Sequence, residues 1–250
     1  TKVHFLFFYC IFVCHELNNK SGIMRALTIF FLSLFSLPLV LNAQSVDEML
    51  QKVSAAIESG QHGQAVSYFR QTIGLDIDRT EMFYWTSIDK SSDISSKLAV
   101  ELASAYRKNR NYDKAYLFYK ELLQKTPDNV DYLEACAEIQ VCRGQEKEAL
   151  RMYEKVLQLD ADNLAANIFL GNYYYLMAEK EKKRLDTDFK KLASPTKMQY
   201  ARYRDGLSKV FSTGYQKARN SLRKVISQFP STEAQKTLDK ILRIEKEVNR

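Results

Sequence analysis

The sequence predicts an all-α fold, a solenoid of antiparallel helix pairs with a long helical-hairpin insertion in its last repeat. Three observations carry this. Only 8 Gly and 4 Pro occur in 250 residues, a balance that suits helices rather than closely spaced turns. Small and large apolar residues recur with a period of 34 positions, the mark of a helix-turn-helix solenoid. Apolar residues also keep helical spacing far beyond the repeats, towards the C-terminus.

The elements follow in chain order. Met24 and Arg25 precede the apolar run ALTIFFLSLFSLPLVL and then Asn42-Ala43-Gln44, which reads as a signal peptide over residues 24–43. Residues 1–23 then read as sequence upstream of the natural start, and the mature chain as exported, to the periplasm or cell envelope. An uncleaved anchor is the rival, and the run is short for one. No Cys stands immediately after the cut site, so lipid modification is not indicated. Residues 46–74 form an N-terminal capping hairpin, because GQHGQAVSYF from Gly60 parallels GQEKEALRMY from Gly144. A connector completes the region 46–95, with Thr80 or Asp78 capping a short helix. Its aromatics Phe83, Tyr84 and Trp85 either pack on a neighbouring hairpin or form a ligand platform.

The repeats occupy 96–129, 130–163 and 164–230. Leu102, Ala103 and Tyr106 step to Cys136, Ala137 and Gln140, then to Leu170, Gly171 and Tyr174; Ala115, Tyr119 and Leu122 step to Ala149, Tyr153 and Val156. Small residues stand where paired helices must approach closely and large ones where they must fill the gap. In the third unit the second helix comes late, as Ala218, Leu222, Val225 and Pro230. That places an insertion of 35 residues at 180–214. Pro195 separates its two halves, so two lengthened antiparallel helices are expected. An amphipathic helix over 231–250 closes the exposed end.

On these residues the chain resembles the tetratricopeptide repeat family. The unit 96–129 carries the pattern as Leu102, Ala103, Tyr106, Ala115, Tyr119, Leu122 and Pro127, whereas 130–163 departs at Gln140 and Ala161. The resemblance implies a non-catalytic protein-interaction module whose first helices line a concave face. Tyr112, Tyr116, Phe118 and Tyr119 then belong to a second helix and are core. The basic and Asn clamp with which some members hold acidic peptide tails is absent, since its positions are Val100, Ser104, Ala135, Ala165 and Phe169.

Enzyme chemistry finds few parts. His62 is the one histidine after residue 44, so common His-based metal sites and triads are excluded there, and no phosphate-cradling glycine loop or HExxH occurs. Only a carboxylate-only site stays open. No cofactor or metal is expected. Cys136 and Cys142 lie six positions apart on one helix, about 9 Å by rise, beyond disulfide reach. Both read as small buried side chains, with intermolecular pairing through Cys142 as the alternative.

Facing the groove should be Ser104, Arg107 and Lys108, then Asp131, Glu134 and Glu138, then Ile168, Asn172 and Tyr175. The three carboxylates share one helix face and suit a basic or polar extended segment, with Tyr175 as apolar anchor. The competing reading is a solvated helix surface. Residues from Ala178 onward carry 19 Lys and Arg against 9 Asp and Glu. Lys180, Lys182, Lys183, Arg184, Lys190, Lys191, Arg202 and Arg204 cluster on the insertion. They imply contact with an anionic envelope surface, lipid or polysaccharide, or a solvated face; export argues against nucleic acid. The hairpin would add a second contact or a homodimer interface.

Overall fold

Residues 45–249 are described by the computed structural model, and among them stand eleven α-helices and one π-helical turn, with no strand. The signal-peptide reading lies outside the described residues. Helices α1 (Val46–Glu58) and α2 (His62–Leu75) pair, and α3 (Ile77–Ser87) leans on both and on α4. The pairs α4 (Asp93–Lys108) with α5 (Tyr112–Lys125) and α6 (Val130–Cys142) with α7 (Glu146–Leu159) follow. Helix α8 (Leu164–Lys190) pairs with a second arm built from α9 (Lys197–Val210), the π-helical turn Phe211–Tyr215 and α10 (Gln216–Gln228). Helix α11 (Thr232–Val248) packs across that arm.

The 34-residue register is visible in the burial. Ala65, Ala115, Ala149 and Ala218 are all fully buried, and their partners Phe69, Tyr119, Tyr153 and Leu222 lie four residues later in the core. Each small residue lets one helix backbone approach, and each large one fills the space beyond it. At Gly171 an added Cβ would come within 3.0 Å of Leu222 Cδ2, so the third unit needs the smallest residue where the others carry Ala103 and Ala137. A polar tie recurs on either side of the inserted segment. Lys155 Nζ bonds Asp128 and the Pro127 carbonyl at 2.8 Å, and Lys224 Nζ bonds Asp162 at 3.0 Å and the Ala161 carbonyl at 2.6 Å.

The three short hairpins share one turn. Gly60, Arg110 and Gly144 have φ of 71°, 59° and 73°, and the next N–H bonds back to Ala56, Tyr106 and Gln140 carbonyls at 2.8–2.9 Å. This is the left-handed helix ending that satisfies orphan carbonyls, and Arg110 adopts it at a cost that glycine avoids.

Several boundaries differ from expectation. Helix α3 is capped by Asp76, which accepts from the Arg79 N–H at 2.9 Å, rather than by Thr80 or Asp78; Asp76 is the extended residue just outside the helix, where its carboxylate reaches the first turn. Helix α4 starts at Asp93, ahead of the expected unit boundary at 96. Thr196 caps α9 in a reciprocal pair with Gln199, leaving Pro195 outside the helix. Cys136 is buried, but Cys142 is exposed at the last turn of α6, because six residues carry it round to the solvent side.

Candidate functional site

First helices α4, α6 and α8 stand side by side, and side chains tie them. Arg107 of α4 bonds Glu138 of α6 at 2.8 Å, and Glu134 accepts at 2.8 Å from Asn163, the cap of α8. The predicted groove residues Arg107, Glu134 and Glu138 therefore also join neighbouring repeats. The cause is the repeat geometry itself, which sets successive first helices close enough for long side chains to span. Ser104, Lys108, Asp131, Ile168 and Asn172 stay exposed. Tyr175 is half-buried, in an edge-to-face ring contact with Tyr215 at 6.1 Å, and so also packs against the second arm.

Sequence reasoning missed Leu176, which is 65% exposed and follows Ile168 and Asn172 on the same helix face. Helical spacing from Ile168 would have found it. Beside this strip Phe169 packs on Tyr153 at 4.6 Å and on Tyr173 at 5.8 Å. Burial pushes the Tyr153 phenol up to about 12 and the Cys136 thiol up to about 12, so both stay neutral and structural at ordinary pH.

The connector aromatics pack rather than present a platform. Trp85 stacks on Phe118 at 5.3 Å, and Tyr84 meets the edge of that ring at 5.6 Å. The Tyr84 hydroxyl donates to Glu121 at 2.8 Å. Lys114 reaches Glu81 at 2.7 Å and Asp78 at 3.0 Å, and Tyr106 also donates to Glu81. Burial raises the Glu81 carboxyl, but the bonds from Lys114, Tyr106 and Trp85 outweigh it and hold the group below its usual range. These contacts weld α3 to the first full repeat.

Along the extension the basic residues divide. Lys182 bonds Asp186 at 2.9 Å, Arg184 bonds Glu181 at 2.6 Å and Asp188 at 3.5 Å, and Lys191 bonds Asp188 at 3.1 Å. Arg204 donates to the Val248 carbonyl at 3.1 Å. Lys182, Arg184, Lys191 and Arg204 are therefore engaged within the chain. The first three meet carboxylates at i,i+3 and i,i+4 spacing on their own helix, and Arg204 serves the α11 packing. Lys180, Lys183, Lys190 and Arg202 make no ion pair among the described residues. No described residues form a cluster of three or more His, Cys, Asp or Glu able to hold a metal, and no described helix is long and apolar enough to cross a membrane.

Fold and surface together define a helical-repeat solenoid with an open first-helix face. The sequence profile described as tetratricopeptide repeat matches residues 98–130. A crystal structure of a candidate protein-binding protein from Bacteroides ovatus ATCC 8483 is 84% identical, covers 82% of this chain and 100% of its own, and superposes with a TM-score of 0.73. The chain belongs to the tetratricopeptide repeat family. A tetratricopeptide repeat protein from Parabacteroides merdae ATCC 43184 is 15% identical over 82% of this chain and 75% of its own, with a TM-score of 0.37. A search of curated proteins returned no match.

Proposed function

We propose that this protein is an exported, non-catalytic scaffold of the cell envelope that binds an extended protein segment on its first-helix face. The observation that carries the reading is the strip Ile168, Asn172 and Leu176 on α8. These side chains are solvent-facing in a helix whose other side buries Ala166, Leu170 and Ala178, and they accompany the exposed polar residues Ser104, Lys108 and Asp131 of α4 and α6. An apolar anchor beside convergent polar groups suits a peptide that buries one or two side chains and hydrogen-bonds the rest. The Bacteroides ovatus relative, described as a candidate protein-binding protein, supports a protein partner. The hydrophobic leader at 24–43 supports export.

Capture from an envelope extract tests the site. Asn172→Ala with Leu176→Asp should weaken partner binding by about tenfold or more, equal to about 1.4 kcal/mol, with the melting temperature unchanged. Replacing 180–214 by a short loop should leave that binding intact. The reverse pattern would remove the groove from consideration.

A further inference from the structure

The end of the long hairpin has a chemistry of its own. Pairs Phe189–Tyr203 at 4.3 Å, Leu185 against Gly206 and Ala178 against Gly214 show the two arms running antiparallel in register to their tip. Helix α8 has 27 residues where α6 has 13, so it runs on by about 20 Å at 1.5 Å per residue. At the tip Met198 is 67% exposed, Tyr200 51% and Leu192 36%. No Asp or Glu occurs from Phe189 to Arg204 inclusive, while five Lys or Arg do: Lys190, Lys191, Lys197, Arg202 and Arg204, of which Lys191 and Arg204 are bonded within the chain. Behind the tip the carboxylates of Glu181, Asp186 and Asp188 neutralise their own neighbours. Lys190, Lys197 and Arg202, like Lys180 and Lys183 further down α8, form no ion pair among the described residues, so unpaired cations stand beside the apolar side chains exposed at the tip.

We propose that this tip anchors the protein on an anionic lipid surface, Leu192, Met198 and Tyr200 entering the interface while Lys190, Lys197 and Arg202 hold phosphate headgroups. A convex end with apolar side chains ringed by cations fits a fluid bilayer, which closes round whatever enters it. A polysaccharide would answer the charge and leave Met198 and Leu192 in water. A second copy would set two acid-free cationic tips against each other. The anchoring stands apart from the first-helix groove, so either can fail without the other.

Met198→Trp in the full chain supplies a fluorescent reporter at the tip. With vesicles containing phosphatidylglycerol its emission should shift to the blue and be quenched by brominated acyl chains, with little change on phosphatidylcholine alone. Raising salt from about 0.05 to about 0.5 M should reverse it. Lys190→Glu with Lys197→Glu should weaken the response by about tenfold or more. A reporter signal indifferent to anionic vesicles, even where the chain itself sediments with them, would overturn the proposal. So would an equal response to uncharged vesicles, or a lipid-free dimer that Leu192→Asp with Met198→Asp disperses.

Discussion

The repeats α4–α7 and the lengthened pair α8–α10 follow the same packing register with opposite uses of charge. Between repeats the ion pairs run from hairpin to hairpin: Arg107 to Glu138, Arg143 to Asp113 and Lys155 to Asp128. Along the far half of α8 they stay within one helix, from Lys182 to Asp186 and from Arg184 to Glu181. Exposed pairs add little stability in either place, so the contrast concerns shape. Contacts between hairpins tie successive first helices together, and hence shape the face they present. Contacts within one helix let the extension stand clear of the solenoid.

Core truncation gives the largest expected separation between the regions. Leu122 is 1% exposed in the first core, and Leu122→Ala should cost about 2–5 kcal/mol, whereas Leu192→Ala at the tip should change stability by less than about 0.5 kcal/mol. Urea titration of the two variants measures both, and equal losses would merge the regions into one cooperative whole. A middle effect is expected at the root of the extension. A Cβ at Gly214 would lie 2.7 Å from Ala178 Cβ and 3.4 Å from the Tyr174 carbonyl, so Gly214→Val should cost about 1–3 kcal/mol. Hydrogen exchange should place that loss in α8–α10, with α4–α7 protected as before. The smallest effect has the opposite sign. Arg110→Gly relieves a left-handed residue in the turn between α4 and α5, and should raise stability by about 0.5–1 kcal/mol. A loss on thermal melting would show that Arg110 contributes more through its side chain than its backbone costs.

Much of this architecture could be read from the chain. The alternation of small and large residues at fixed spacing set the repeats, because helix packing demands both at those places, and Ala218, Leu222 and Val225 located the delayed second helix. Pro195 located the break. Other features were hidden because they depend on neighbours distant in sequence. The bond from Asn163 to Glu134 and the ring contact of Tyr175 with Tyr215 join residues that the apolar pattern does not bring together. The π-helical turn at Phe211–Tyr215 has no signature in the apolar pattern. One extra residue in a helical turn shifts the register, and only the close approach of Gly214 to Ala178 betrays the need for it. Leu176 was legible and overlooked.

A site-specific photo-crosslinker separates the two faces of the repeats most directly. Placed at residue 176, on the first-helix face, it should trap a protein partner in cells; placed at Leu117, 60% exposed on the second helix α5, it should trap none. A partner trapped from position 117 and not from 176 would contradict the assignment of binding to the first-helix face.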